Sequence, residues 1–347
     1  MTRRSSPAEK TSRAASKPLI KVSAPARIDL AGGTLDIFPI SQLEQGAVTV
    51  NLGIDRYATA TARARTDGRF VLKAIDRKLS ERLDNRETLA SSTLLPLHRE
   101  VALHVGPQSG IDLTTRSGVP AGSGLGGSST LVICMLKAVA AARGGGGRPG
   151  AAQLLRLASD IEARVIGVPT GQQDHVGALY GGLSAITYPP GGTKRVAVRT
   201  DIEALGKRLV LVYTGKPHDS AVNNWAITRK YIERHLGVRR HIGEIAQAAR
   251  ELLAALRAGD LDGAGRAMQS EWEARKRLAP GVTTPLIEEI GQQTTAAGAI
   301  GMKVCGAGGG GCVVLFVGTG RRAAVERAAK AAGGTLLRFK PALRGAE

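Results

Sequence analysis

Aromatic side chains are scarce in this chain: Phe, Trp and Tyr together make up 3% of its 347 residues. Single-stranded nucleic acid is gripped by stacking its bases on aromatic rings, and no set of such platforms is evident. Cysteine is scarcer still. Cys134, Cys305 and Cys312 sit in apolar or glycine-rich runs; so odd and sparse a set excludes a disulfide framework and points to a reducing, cytoplasmic compartment. The six histidines are scattered, with no CxxC or HExxH spacing, so a structural zinc site is not expected. Nor does any uninterrupted apolar run approach the roughly 18 residues that span a bilayer. Met1 to Lys17 is basic and rich in Ser and Ala but has no apolar stretch. The expectation there is a solvated tail rather than a secretory signal.

Acidic residues are also in deficit. Against 29 Asp and Glu stand 48 Lys and Arg, a formal charge of +19. Such a balance favours anionic partners, nucleic acid or phosphorylated metabolites, without choosing between them. The abundant residue is glycine, with 45 positions gathered in clusters.

Alternation and β-branching predict strands over Leu19 to Leu30, Ala47 to Thr61, Phe70 to Ala74 and Gly110 to Thr115. Ser91 to Val105 reads as helical in part, interrupted by Pro96. A glycine loop, Gly118 to Gly127, leads into a helix over Ser128 to Ala142, and a connector (Arg143 to Gly150) into another over Ala151 to Ile166. Pro189 to Gly192 is the expected domain boundary. Beyond it the pattern gives a strand (Arg208 to Tyr213) and helices near Asn223 to Arg234, Ile242 to Ala258 and Thr284 to Ala296. A strand (Cys312 to Val317), a helix (Arg321 to Ala332) and a last strand (Thr335 to Phe339) follow. Strands and helices in runs, without strict βαβ alternation, indicate an α+β fold. The expected organisation is a basic tail (1–18), a first domain (19–190) and a second (191–347).

The strongest chemical signal is Pro120-Ala-Gly-Ser-Gly-Leu-Gly-Gly-Ser-Ser-Thr130, between a strand and a helix. Glycines at 122, 124, 126 and 127 let main-chain N–H groups approach a ligand, and the helix start adds unpaired N–H groups and a positive dipole end. The expected ligand is a polyphosphate held by Pro120, Gly122, Ser123, Gly124, Leu125, Gly126, Gly127, Ser128 and Ser129, with a hydroxyl available to phosphate-bound Mg2+. Gly122, Gly124 and Gly127 satisfy G-x-G-x-x-G, but a dinucleotide fold needs an acidic residue about 20 positions later, where this chain has only Gly and Arg between Arg143 and Arg148. The P-loop pattern fails because Ser128 stands where its Lys belongs.

Two further glycine-rich elements flank this loop: Ala24-Pro-Ala-Arg-Ile-Asp-Leu-Ala-Gly-Gly-Thr-Leu-Asp36, and Lys303-Val-Cys-Gly-Ala-Gly-Gly-Gly-Gly-Cys312. With the three in this order and spacing, the chain resembles the GHMP kinase superfamily (galactokinase, homoserine kinase, mevalonate kinase, phosphomevalonate kinase) from about residue 20 to about 340. The first element most resembles the R-I-S-F-A-G-G-G-T-D of bacterial heptose-phosphate kinases and the R-I-D-L-A-G-G-W-S-D of fucokinases. It departs from the former in having Thr34 and Leu35 where they have Gly-Thr. The resemblance implies a two-domain fold, with a ribosomal-protein-S5-like N-terminal domain and a ferredoxin-like α/β C-terminal domain. It implies ATP and Mg2+ as cofactors and a phosphoryl transfer to a sugar or sugar phosphate, heptose 7-phosphate first, at the anomeric hydroxyl.

The same likeness assigns roles. Asp36, with Gly32 and Gly33, would bind sugar hydroxyls; Arg27 would pair with a carboxylate beside the moving phosphoryl group. Gly167-Val-Pro-Thr-Gly-Gln-Gln-Asp174 resembles the galactokinase G-x-x-C-G-I-M-D, which makes Asp174 the residue that orients or deprotonates the acceptor, held ionised by Arg27. Ser128 and Glu162 are the expected magnesium ligands; Ala158, Glu162 and Ile166 share a helix face. Gly308 and Gly309 are expected against substrate, with Lys303 nearby, and Lys216, His218 and Ser220 as further contacts. His175 is read as structural. A mevalonate-pathway or galactokinase-type kinase and a non-catalytic nucleotide and sugar sensor are the alternatives. Intact Arg27, Ser128, Glu162 and Asp174 weigh against the sensor. Expected partners are thus a small sugar, no nucleic acid and no membrane, with homo-oligomerisation compatible.

Overall fold

A computed structural model of the chain describes residues 17–347 except 145, 146, 148, 218 and 219, and no side chain over 218–223. The tail but for its last two residues, the middle of the Arg143 to Gly150 connector, His218 and the side chain of Ser220 therefore lie outside what is described.

The first sheet contains seven strands among the described residues: β1 (Ile20–Ala31), β2 (Val48–Ala64), β3 (Phe70–Ala74), β4 (Leu79–Leu83), β5 (Ile111–Arg116), β6 (Leu183–Thr187) and β7 (Lys194–Ala197). Its order is β4-β3-β5-β2-β6-β7, with β1 also paired to β2, and only β3 and β5 run parallel. Around it lie α1 (Ile40–Leu43), α2 (Arg86–Ser91), α3 (Pro96–His104), α4 (Gly127–Arg143), α5 (Ala151–Ile166) and α6 (Gln173–Tyr180). The second sheet, β8 (Leu209–Tyr213), β9 (Ala299–Val304), β10 (Cys312–Val317) and β11 (Thr335–Leu336), is antiparallel in the order β11-β8-β10-β9. It is accompanied by α7 (Ile202–Arg208), α8 (Ser220–Ile232), α9 (Leu236–Ala258), α10 (Leu261–Arg275), α11 (Pro285–Ala296) and α12 (Arg322–Ala331). This is the α+β architecture expected. No helix among the described residues is long and apolar enough to cross a membrane.

Small residues set how closely the layers pack. On β2, Ala58, Ala60, Ala62 and Ala64 are buried and alternate with Thr59, Thr61 and Arg63. Side chains two apart share a face of a strand, so this alanine row gives α4 a shallow surface to approach. Val132, Ile133, Met135, Leu136 and Val139 of α4 belong to the same buried cluster, each such burial contributing roughly 1.5–3 kcal/mol. A second cluster joins the two halves, with Ile28, Val50, Leu52 and Ile54 of the first sheet meeting Leu252, Met268, Val314 and Phe316 of the second half.

Several expectations shift. Pro96 does not interrupt a helix but opens α3 at its first position, where its missing N–H has no helical partner to lose. Pro189 to Gly192 is the turn of a hairpin within the first sheet, because β7 pairs antiparallel with β6 from Ser184↔Ala197 to Thr187↔Lys194. The first sheet therefore extends past residue 190, and the chain's last residues return to it: Ala342 N–H donates to the Gly53 carbonyl, and Ser23 and Glu347 exchange two main-chain bonds. The final strand stops at Leu336 rather than Phe339. Helix α10 and strand β9, unread in the sequence, turn out to support the site.

Candidate active site

The glycine loop leaves β5 and enters α4, whose N-cap is Gly126 with no side-chain cap. The first N–H groups of α4 are thus left for a ligand. Gly124 shows why glycine is needed: its φ is +75°, and a Cβ there would lie 2.0 Å from the Cys305 carbonyl oxygen. The loop is tied to the second sheet by the Cys312 N–H, which donates to the Ser123 carbonyl at 2.8 Å. Of the nine residues expected to hold the polyphosphate, eight line a cavity of about 350 Å³. Leu125 is the exception. Its side chain is fully buried in the apolar seam, and its carbonyl accepts the Arg27 N–H at 3.2 Å.

Arg27 crosses this cavity. Its Nε and one terminal nitrogen donate to Asp174 Oδ1 at 2.8 and 2.5 Å, and the other terminal nitrogen donates to the Gly124 carbonyl at 2.5 Å. Asp174 lies in the first turn of α6 and stays about a quarter exposed, whereas Arg27 is buried. The fork fixes one carboxylate oxygen of Asp174 and leaves the other unengaged by Arg27.

Asp36 lines the same cavity and accepts the Gln173 N–H at 3.0 Å. Gly171 makes room for it, since a Cβ there would stand 1.8 Å from Asp36 Oδ2. Burial, reinforced by the Asp174 charge and opposed by that N–H bond, pushes the Asp36 carboxyl up to about 6. Its proton is thus held more tightly in the folded chain than in the unfolded one. That contribution to stability is present at acid pH and lost as pH rises through about 6. For the acceptor-binding role expected of Asp36 the sense is opposite, because an ionised carboxylate would receive the hydroxyl protons. The KM for the acceptor is therefore expected to fall between about pH 5 and about pH 7, and Asp36→Asn to flatten that profile. A wild-type KM constant over this range would contradict it.

Glu162, on α5, is buried and accepts the Ser129 hydroxyl at 2.8 Å, and His175 Nε2 stands 2.9 Å from the same oxygen. Burial opposes charge on both groups, but each outweighs it in the other: the Glu162 carboxyl is held low and the His175 ring raised. His175 is thus paired with Glu162 in a fully buried position. Ser128, Ser129 and Glu162 all line the cavity.

A cluster of four charged residues behind the first motif escaped the sequence reading. Lys303 does not reach the cavity; fully buried on β9, its Nζ donates to Asp29 Oδ2 at 2.7 Å and lies 3.9 Å from Glu271 Oε1. Arg275 pairs with Glu271 one turn away on α10 and donates to the Gly33 carbonyl at 2.7 Å and the Thr34 hydroxyl at 3.2 Å. The carboxyl of Asp29, despite complete burial, is held below its ordinary range by Lys303, Arg275 and Arg27. Gly33 lines the cavity, but Gly32 does not: its N–H donates to Glu271 Oε1, and a Cβ would lie 2.1 Å from the Val48 carbonyl. Gly308 and Gly309 likewise do not line it, the latter donating its N–H to the Val282 carbonyl, while Gly306 and Ala307 form the wall. Lys216 is exposed and outside the cavity wall.

A model of the GHMP kinases N terminal domain matches residues 88–182, and one of the GHMP kinases C terminal region matches residues 252–335. The chain is 29% identical over 321 residues to the D-glycero-alpha-D-manno-heptose 7-phosphate kinase of Campylobacter jejuni, an alignment spanning 86% of this chain and 89% of that protein. It is 30% identical over 268 residues to the galactokinase of Mycobacterium bovis, spanning 65% and 71% respectively. It superposes on the crystal structure of a D-glycero-D-manno-heptose 1-phosphate kinase from Bacteroides thetaiotaomicron with a TM-score of 0.74 and 26% identity, over 94% of this chain and 98% of that one.

Proposed function

This chain belongs to the GHMP kinases, and from that premise we propose that it transfers the γ-phosphoryl group of ATP to the anomeric hydroxyl of a sugar phosphate in the cytoplasm, with heptose 7-phosphate the favoured acceptor. The observation that carries the reading is the Arg27 fork. One guanidinium joins the glycine loop, at the Gly124 carbonyl, to the Asp174 carboxylate, so the donor and acceptor ends of the cavity share a single rigid member.

Phosphoryl transfer asks mainly for positioning and charge stabilisation. The loop from Pro120 to Gly127 and the start of α4 hold the triphosphate through main-chain N–H groups. Asp36 accepts hydroxyl protons of the acceptor and aligns it. Asp174 takes the proton of the attacking hydroxyl as the acceptor oxygen bonds to the γ-phosphorus, and the bond from that phosphorus to the β–γ bridging oxygen breaks to release ADP. Arg27 stands beside the moving group with its positive charge.

Ser128 and Glu162 would hold a magnesium ion. They offer a hydroxyl and a carboxylate at the cavity wall, hard oxygen donors that suit an ion keeping phosphate and water as its other ligands. When bound, the ion screens the charge of the β- and γ-phosphates. Ser129 and His175 fix the Glu162 carboxylate in place.

A second reading, an unphosphorylated sugar such as galactose or fucose, has its own support. Among the described residues that line the cavity, only Arg27 and Arg77 are basic, and Arg27 is already engaged, leaving few cations for an acceptor's phosphate. Coupled measurement of ADP release with heptose 7-phosphate, galactose, fucose and mevalonate separates the readings. Turnover confined to mevalonate, or none with any sugar, would remove both.

A further inference from the structure

We propose that Thr34 determines acceptor specificity, donating its hydroxyl proton to an oxygen of the polyhydroxylated acceptor beside Asp36; this rests on the kinase reading above. Three described residues other than glycine have positive φ: Thr34 at +76°, Lys78 at +56° and Arg234 at +61°. Lys78 and Arg234 are exposed, unbranched at Cβ, and unremarkable in turns. Thr34 is different, being β-branched and buried, at 6% exposure, in the wall of the cavity. A branched Cβ is strained in this region of backbone space, and such strain persists only where the surroundings impose it. Glycine would adopt the same conformation freely and would still offer the neighbouring Gly33 carbonyl to Arg275.

What threonine adds is therefore its side chain, and the contacts show how it is used. Arg275 donates to Thr34 Oγ1 at 3.2 Å and is itself clamped by Glu271 at 2.6 Å. Both members of that clamp are buried, Arg275 at 2% exposure and Glu271 at 0%. A hydroxyl that receives a guanidinium proton on one lone pair turns its own proton away from that cation. No protein group among the described residues accepts it. Asp36, two residues on and in the same wall, supplies the complementary acceptor. A donor and an acceptor side by side match adjacent oxygens of a polyol. The Glu271 and Arg275 pair thereby works as an orienting device at one remove from substrate.

The test compares Thr34→Gly and Thr34→Ser with the parent chain, measuring ADP release against the four acceptors above together with melting temperature. In Thr34→Gly the acceptor KM is expected to rise roughly tenfold, since a hydrogen bond to substrate is lost. The ATP KM should stay within about twofold, and the melting temperature should not fall, because relief of strain offsets the lost Arg275 contact. Thr34→Ser, keeping the hydroxyl, should return the acceptor KM to within about threefold of the parent. An acceptor KM unchanged in Thr34→Gly would overturn the proposal, as would a rise matched by a lowered melting temperature or left unrescued by serine. The parent's own acceptor profile reports separately on the sugar kinase reading. If mevalonate alone supports turnover, that reading fails while the Thr34 comparison is still made. A parent without turnover or acceptor-induced thermal shift would remove both.

Discussion

Asp174→Asn is expected to lower kcat by about 10²–10⁴-fold while ATP affinity stays within about twofold. Asparagine keeps the shape and can still accept from Arg27 through its amide oxygen, but it cannot take a proton from the attacking hydroxyl. In the proposed arrangement Asp174, paired with Arg27, serves the acceptor while the loop and the start of α4 hold the triphosphate, so nucleotide binding should not pass through it. Folding should largely survive, because Asp174 is about a quarter exposed and Arg27 keeps its bond to the Gly124 carbonyl. Titration of a fluorescent ATP analogue and steady-state ADP release together decide the matter. Near-normal turnover would strip Asp174 of its role, and loss of nucleotide binding would place it at the wrong end of the cavity.

The largest stability effect is expected at Lys303→Met. Lys303 and Asp29 are both completely buried and 2.7 Å apart. Removing the ammonium leaves a desolvated carboxylate facing only the more distant Arg27 and Arg275, and breaking a buried pair in this way costs about 3–5 kcal/mol. For a chain of this size the melting temperature should drop by roughly 4–7 °C. Adding Asp29→Asn to the variant should recover much of the loss, because the stranded charge, more than the lost attraction, dominates the cost. A single variant melting within about two degrees of the parent would show that water or Arg275 already neutralises Asp29.

These two sites differ in how far the sequence disclosed them. The glycine loop was legible because a main chain that must approach phosphate and a helix start without a cap dictate residue types locally; Arg27, Asp36 and Asp174 were picked out by the resemblance of their short motifs, and the structure brings them to the same cavity as the loop. Lys303 was misplaced for the opposite reason. Its partner Asp29 is 274 residues away, and nothing in a glycine-rich neighbourhood reveals that a lysine points into the seam between sheets. Helix α10 was missed because Gly263 and Gly265 dilute its apolar pattern: Gly265 admits Ile300, whose side chain would lie 2.6 Å from a Cβ. Even so, Glu271 and Arg275 stand one helical turn apart beside the buried Trp272, a charged pair on a core-facing stripe that could have flagged it. Pro96 and the Pro189 to Gly192 hairpin show that proline and glycine mark a change of direction without saying what lies on either side.

The return of the chain's last residues to the first sheet governs how the molecule is made. Ser23 and Gly53 emerge from the ribosome about three hundred residues before Glu347 and Ala342, their main-chain partners. Throughout that interval Ser23 on β1 and Gly53 on β2 present an exposed margin of unpaired main-chain groups, and Asp29 lacks its cation, not yet synthesised. The glycine loop, packed against Cys305 and tied to Cys312, cannot set before then either. Assembly of this cavity is consequently a late event in the life of the nascent polypeptide, and the exposed margin is the stretch a chaperone would have most reason to guard.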